Sequence, residues 1–187
     1  FDFSGVSKIP NLQSVYVQSV ENIEEIDYAP LTELEKLLFI YLPVNRDNYL
    51  FLKDMKSSKN LVSIDIEFVD GFVPPDLEFL SGFTSLQQLI IQSFEDNGMG
   101  KIDISSLENN KILMILKLHL KRAAVEGFKV LSKLENLIDL NIQLYEIDKM
   151  QMLSELPEIE KVKMLTLQGI KSDIKMAEKF PQLNFLN

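Results

Sequence analysis

A short apolar phrase recurs at nearly even intervals along the 187 residues of the chain. It has the form L-x-x-L-x-L, and successive copies begin 24 to 27 residues apart. A unit of about 25 residues is too small to bury an apolar core by itself, so its copies must pack against one another. The first residue of each copy, called position one below, is Leu12, Leu37, Leu61, Leu86, Leu113, Leu137, Val162 or Leu186.

The apolar pattern extends on both sides of position one. Its six columns lie nine, six and three residues before position one, at position one, and three and five residues after it. They supply 46 places, of which 44 are apolar, whereas about 21 would follow from the overall apolar fraction of 46%. Ser58 and Asn110 are the exceptions. The register is therefore maintained along the whole sequence.

Each unit divides into a short strand and a return segment. After Leu137, the apolar residues Leu140 and Ile142 alternate with polar ones, as in a strand with one buried face. Before it, apolar residues stand three apart, which favours a helical or 3₁₀ return segment. Pro43 lacks a backbone N–H and predicts the end of the second strand. The last strand is expected to begin at Leu186, and the longer return segments with helix-forming residues are 48–59, 75–81, 123–133 and 172–179.

These units predict an α/β solenoid of seven or eight repeats of about 25 residues. Parallel strands would form a curved sheet on the concave face, and short helices or 3₁₀ turns would form the convex face. We expect a single domain over residues 1–187. Because the sequence begins with Phe1, we expect this domain to be part of a longer chain.

Two return segments carry a narrower pattern. Ile26-Asp27-Tyr28-Ala29-Pro30-Leu31 and Ile102-Asp103-Ile104-Ser105-Ser106-Leu107 precede position one at corresponding places, and Asp76 and Leu77 occupy the same columns. The repeat pattern resembles leucine-rich repeat proteins over essentially the whole chain, and these segments resemble internalin-type bacterial repeats. The resemblance implies a surface or secreted protein that grips another protein on its concave face. The repeat here is longer than that of internalins, and Asn45 is the only asparagine in the ninth column.

Composition excludes several functional classes. The net charge of −9 and the absence of any Lys/Arg cluster argue against nucleic-acid binding. Cysteine is absent, which excludes disulfides, thiolate metal sites and a cysteine nucleophile. The apolar runs are too short to insert into a membrane, and no signal peptide opens the sequence. A secreted or cell-surface bacterial protein fits this composition, and so does a cytoplasmic one.

Function on this scaffold is expected at the outward strand positions, since the inward positions are used for packing. These are positions three, five and seven of each repeat. Aromatic residues at such positions offer contact area at low entropic cost. We therefore predict a partner-binding face formed by Tyr16, Phe39, Tyr41 and Ile90, with Asp65, Glu67, Lys117 and His119 as its polar surround.

Competing interpretations remain for parts of this face. Leu34, Leu37 and Phe39 offer a second L-x-x-L-x-L phrase, and a register shift or a missing N-terminal cap would bury Phe39. Position seven is rich in amides, which indicates hydrogen bonding along the sheet. Amides beside aromatics are also compatible with a carbohydrate-binding surface. A structural spacer in a larger lipoprotein is a third alternative.

Catalysis and cofactor binding are not expected. His119 is the only histidine and no G-x-S-x-G elbow is present. Asp65 and Glu67 should lie about 7 Å apart, near the spacing of inverting glycosidases, but nothing in the sequence raises the pKa of either, so a solvated acidic spot or a partner for Lys117 is favoured. The acidic residues of 21–27 and 95–98 lack the spacing of a calcium loop. The sequence predicts a non-enzymatic module without metal or cofactor whose partner is another protein.

Overall fold

The structure is a computed structural model that describes residues 2–18, 23–69, 71–94, 100–145, 156–168 and 178–186. Eight of its strands form one sheet in which every described pair is parallel. Each repeat contributes one strand to this sheet, so the strands follow one another in space in the same order as in the sequence. These strands are β1 (Ser14–Tyr16), β2 (Phe39–Val44), β3 (Ser63–Phe68), β4 (Gln88–Ser93), β6 (Ile115–Lys121), β8 (Asp139–Tyr145), β9 (Met164–Gln168) and β10 (Phe185–Leu186).

The two faces of this sheet differ as the alternation predicts. In β3 and β4 every second side chain is buried. Position one and the inward positions four and six form the core, as Leu137, Leu140 and Ile142 illustrate with no exposed surface. The outward side chains at positions three, five and seven remain accessible or half-buried, with Pro43 the buried exception.

Most of the described return segments contain 3₁₀ turns. Their three-residue period matches the i, i+3, i+6 spacing of their apolar residues, so the same edge of each turn meets the sheet. The turns are Val6–Lys8, Ile23–Glu25, Ala29–Glu33, Tyr49–Asp54, Lys56–Lys59, Glu78–Leu80, Ser105–Asn109 and Phe128–Lys133. The segment predicted at 172–179 lies mostly outside the described residues.

Aspartates fix the start of several return turns. Asp27 Oδ1 accepts the backbone N–H of Ala29 at 2.9 Å, and Asp76 Oδ1 accepts that of Glu78 at 3.0 Å. Asp103 Oδ1 accepts the N–H of Ser105 at 2.8 Å. The side chain thus replaces a backbone acceptor at the bend, as aspartate does in turns. This shared geometry explains why these columns carry aspartate.

A second, two-stranded sheet corrects one prediction. Residues 123–133 were predicted to be helical, but β7 (Ala123–Glu126) pairs in parallel with β5 (Gly100–Asp103). Gly127 then adopts φ +81°, a left-handed conformation that glycine tolerates, before the 3₁₀ turn begins. A Cβ at Gly127 would overlap Asp103 Oδ1 and Ser105 Oγ. Only the second half of this segment is therefore a turn.

The prediction that Pro43 ends the second strand is wrong. β2 continues to Val44, and Pro43 is in register with Glu67 of β3. Tyr41 O accepts the N–H of Val17 at 3.0 Å, so alternate residues of β2 direct their polar backbone groups towards β1. β1 ends at Tyr16, before it reaches the level of Pro43, and the missing N–H therefore interrupts no ladder.

The register of the last repeat also differs from the prediction. Leu186 is paired with Leu165, which stands at position four, so position one is Leu183 and not Leu186. The N–H of Asn184 bonds Lys163 O at 2.8 Å, as the residue after position one does in earlier repeats. Apolar residues at 174, 177, 180, 183 and 186 satisfy both registers, since a shift of three leaves the pattern unchanged.

Side chains just before position one connect neighbouring repeats. Asn60 Nδ2 donates to Glu35 O at 2.8 Å and Asn136 Nδ2 donates to Lys111 O at 2.9 Å. Ser85 Oγ donates to Lys59 O at 2.5 Å. Each bond satisfies a carbonyl at the turn of the preceding repeat, which stabilises the stack.

The two polar exceptions in the apolar columns have different surroundings. Asn110 is fully buried, and its Nδ2 donates to Phe83 O at 2.9 Å, so it links adjacent repeats through a hydrogen bond. Ser58 is half-buried, while the adjacent Ser57 is fully buried. The turn Lys56–Lys59 therefore presents Ser57 to the interior.

Candidate functional site

The outward strand positions form one continuous face, called the concave face below. Position five is in register across seven strands, from β1 to β9. The sheet thus places the predicted residues of position five side by side, although they are far apart in sequence. In order they are Tyr16, Tyr41, Asp65, Ile90, Lys117, Asn141 and Thr166.

An aromatic cluster occupies the β1–β2 end of this face. The rings of Tyr16 and Tyr41 stack with their centroids 4.6 Å apart and their planes at 22°. Tyr16 is 64% exposed and Phe39, at position three of β2, is 47% exposed, whereas Tyr41 is half-buried. The structure therefore brings the three predicted aromatic residues together at the surface.

The exposure of Phe39 decides between the two registers proposed for the second repeat. Ile40 and Leu42 are buried, and Phe39 pairs with Ser14 and Ser63, both at position three. A shifted phrase from Leu34 to Phe39 would have placed Phe39 in the core. The alternative register is wrong.

Two carboxylates lie beside the aromatic cluster on β3. Asp65 and Glu67 project from the same side of the strand and are half-buried. Tyr41 Oη donates to Glu67 Oε2 at 3.1 Å, and Gln92 Nε2 donates to Asp65 Oδ1 at 2.8 Å. Each carboxylate thus has one neutral donor, and neither forms a salt bridge among the described residues.

Burial shifts the pKa of two groups in this region. It raises the pKa of Asp65, with a further increase from Glu67 and opposing effects of the Gln92 hydrogen bond and Lys117. Burial and the neighbouring Glu67 raise the pKa of Tyr41 to about 12. Asp65 and Glu67 are thus half-buried and only partly withdrawn from water, and Lys117 acts on Asp65 through its charge.

The basic residues lie two strands further along the sheet. Lys117 and His119 occupy positions five and seven of β6 and are half-buried. Burial lowers the pKa of His119, as does Lys117, while a hydrogen bond with Asn141 raises it. The net effect favours the neutral imidazole at neutral pH. Lys117 forms no salt bridge with Asp65 in the structure, and β4 lies between their strands.

Among the described residues, the position-seven amides Gln92 and Gln143 bond to neighbouring polar side chains and not to each other. Gln92 reaches across to position five of β3, where it bonds Asp65. Gln143 accepts a hydrogen bond from Tyr145 Oη at 2.8 Å. These amides orient neighbouring polar groups on the concave face.

One apolar surface was missed by the sequence interpretation. Ile112 and Met114 are 39% and 37% exposed and line a groove with Ile138 at the edge where β6 and β8 begin. Ile112 stands in the column where Asn60, Ser85 and Asn136 make their bonds to the preceding repeat. Its departure from that pattern was visible in the sequence, and comparison within the column would have found it.

No group of three His, Cys, Asp or Glu side chains in the described residues is arranged to hold a metal ion. Residues 95–98 and Glu21 lie outside the described residues, as does the side chain of Glu24. Among the helices that are described, none is long and apolar enough to cross a bilayer.

The stacked strands and 3₁₀ returns define a leucine-rich repeat solenoid, as the sequence predicted. The fold is similar to that of internalin C2 from Listeria monocytogenes, with a TM-score of 0.52 and 20% identity over 86% of this chain and 65% of that chain. Internalin F from the same organism gives a TM-score of 0.49 and 16% identity over 100% of this chain and 64% of the other. The chain spans just under two thirds of either protein. No protein-family model and no curated protein sequence matches it.

Proposed function

We propose that this protein is a non-enzymatic protein-interaction module that binds its partner on the concave face. The observation that carries the proposal is the exposure of Tyr16 and Phe39 beside the half-buried Tyr41. The fold does not require aromatic side chains there, because the opposite side of the same strands supplies the core. Contiguous exposed aromatic surface is typical of protein-binding sites.

The chemistry of the face favours a protein over a carbohydrate partner. Phe39 and Ile90 add apolar surface without hydrogen-bonding capacity, and the Tyr41 hydroxyl already bonds Glu67. The acceptors of Asp65 and Glu67 form a polar surround, as at the rim of protein interfaces. A glycan would use the exposed amides and the Tyr16 ring, and it is the alternative outcome of the test below.

We further propose a secreted or cell-surface location in a bacterium. The support is the internalin-type return segments together with the fold they adopt. The same composition is compatible with the cytoplasm, and fractionation of cells that express the full-length gene separates the two locations.

The test is affinity capture of a partner followed by measurement of dissociation constants. The double variant Tyr16→Ala/Tyr41→Ala should weaken binding by at least about tenfold, since truncation of aromatic anchors commonly costs more than 1 kcal/mol. Leu50→Ala is the matched control, because Leu50 is 42% exposed on a 3₁₀ return turn and not on the concave face.

Unchanged affinity in the tyrosine variant would refute the proposal. A glycan array provides the discriminating arm. Saturable glycan binding that is lost with Tyr41→Ala, with no protein captured, would establish the carbohydrate alternative. Circular dichroism of each variant ensures that the fold is retained.

A further inference from the structure

The concave face carries an ordered sequence of chemical zones from one strand to the next. The aromatic zone is on β1 and β2, the acidic zone of Asp65 and Glu67 is on β3, Ile90 and Gln92 are on β4, and Lys117 is on β6. Register between the strands holds these zones in fixed order. A partner that lies across the strands therefore meets them one after another.

Within the described residues, neither the acidic zone nor Lys117 takes part in a salt bridge. The salt bridges among the described residues involve other carboxylates, namely Glu33, Glu126 and Glu108. At a strand spacing of ~4.8 Å, the backbones at position five of β3 and of β6 are about 10 Å apart. Ile90 of β4 lies between Asp65 and Lys117, and no salt bridge joins the two side chains. Asp65 and Glu67 each accept one hydrogen bond from a neutral group, and a carboxylate can accept about four.

Partial burial makes Asp65, Glu67 and Lys117 discriminate between partner groups of different charge. A half-desolvated carboxylate gains from a cationic donor and loses from an apolar or anionic group placed over it. The Lys117 ammonium has the opposite preference. The hydrogen bond from the Tyr41 hydroxyl to Glu67 keeps the Tyr41 ring next to the acidic zone. The ring can there pack against the aliphatic part of a basic side chain of the partner.

Resting on the proposed function of this face, we propose that the partner is a protein segment of defined polarity that crosses the strands. It places an apolar or aromatic residue against Tyr16 and Tyr41, a basic residue against Asp65 and Glu67, and an acidic residue against Lys117. An extended segment advances ~3.3 Å per residue and its side chains alternate between two faces, so the basic and acidic residues that face the sheet are two or four positions apart. The order of the zones therefore fixes the order in which the apolar, basic and acidic residues stand along the partner.

The test uses a display library of random dodecapeptides selected on the wild-type protein. Enriched peptides should contain an apolar residue, an Arg or Lys, and an Asp or Glu in that order or in its reverse, with the two charged residues two or four positions apart. Asp65→Asn/Glu67→Gln should weaken these peptides by at least about tenfold and abolish selection for the basic residue. Lys117→Gln should abolish selection for the acidic residue and leave the basic preference intact.

Matched controls remove the same charges elsewhere. Glu35→Gln/Asp54→Asn removes two exposed carboxylates of the return side, and Lys53→Gln removes an exposed lysine there. Neither should change the peptides selected. Equal weakening by these controls would assign the effect to net charge and overturn the inference.

The outcomes separate this inference from the proposed function. Selected peptides that require Tyr16 and Tyr41 but lack the charge pattern would refute the inference. So would peptides that carry the pattern and bind the Asp65 and Glu67 variant as tightly as wild type. Either result is consistent with the proposed function. Peptides that bind Tyr16→Ala/Tyr41→Ala as well as wild type, or no enrichment after repeated rounds, count against both.

Discussion

Tyr16 and Tyr41 stand in register on adjacent parallel strands and stack with their ring centroids 4.6 Å apart, although 25 residues separate them in sequence. Cross-strand aromatic pairs stabilise sheets by roughly 0.2–1 kcal/mol relative to alanine pairs. This pair lies at the surface, where the repeat itself requires no aromatic side chain. It therefore connects the geometry of the repeat to the proposed binding face.

The stack should appear as a small coupling in stability. In a double-mutant cycle of Tyr16→Ala and Tyr41→Ala, urea unfolding should give a coupling energy of ~0.5–1 kcal/mol, because the rings contact each other directly. The pair Tyr16 and Leu50, which lie on different faces, should show none. Zero coupling for the tyrosine pair would mean that the stack does not persist in solution.

Tyr28 should stabilise the fold through its hydroxyl group. It is buried, and Tyr28 Oη donates to Pro43 O at 2.5 Å. Burial strongly raises the pKa of Tyr28, in accord with a hydroxyl that stays protonated inside the protein. Tyr28→Phe should lower the free energy of unfolding by ~1–2 kcal/mol, since the substitution removes a buried hydrogen bond. Tyr16→Phe, at an exposed ring, should change it by less than ~0.5 kcal/mol.

Gly127 should tolerate no side chain. Gly127→Ala places a Cβ against Asp103 and Ser105 at a left-handed φ, and should destabilise the protein by more than about 2 kcal/mol. Gly82→Ala is the control, because the added Cβ would meet Ser58 at an ordinary 3.9 Å. Similar melting temperatures for the two variants would show that the β5–β7 sheet and the following turn do not pack as described.

Asp65 should give a pH-dependent effect on stability. Because burial raises its pKa above 3.8, the folded protein binds this proton more tightly than the unfolded chain does. Its stabilising contribution is therefore full below pH 3.8 and is lost as the pH rises through the folded pKa. In urea unfolding, Asp65→Asn should raise the free energy of unfolding at pH 7 by a small amount, on the order of 0.5 kcal/mol, and the gain should vanish in acid. A loss of stability at pH 7 would contradict the sign; the exposed Asp54→Asn serves as control.

The fold could be predicted because its determinants repeat. The apolar columns, such as position one with Leu37, Leu61 and Leu86, determine which side chains face the core. The pairing of the strands follows from the order of the repeats in the sequence. Prediction failed where local chemistry or symmetry decided the outcome. The three-residue period left Leu183 and Leu186 equivalent until strand pairing with Leu165 separated them. Residues 123–126 became a strand because β5 offers a pairing edge, which helix propensity does not represent.

The composition of the concave face was predictable, but its hydrogen bonds were not. Register alone placed Tyr41 beside Asp65. The bonds of Tyr41 to Glu67 and of Gln92 to Asp65 depend on side-chain rotamers and on burial, which alternation does not specify. For the same reason the raised pKa of Asp65 could not be foreseen from the sequence.

Site-specific photo-crosslinking tests the central claim most directly. A benzophenone amino acid replaces Phe39 in one sample and Leu50 in another, at sites that are 47% and 42% exposed and so equally available to a partner. With the captured partner present, irradiation should give a crosslinked product from position 39 and none from position 50. Crosslinking from position 50 alone would place the partner on the convex side and contradict binding on the concave face.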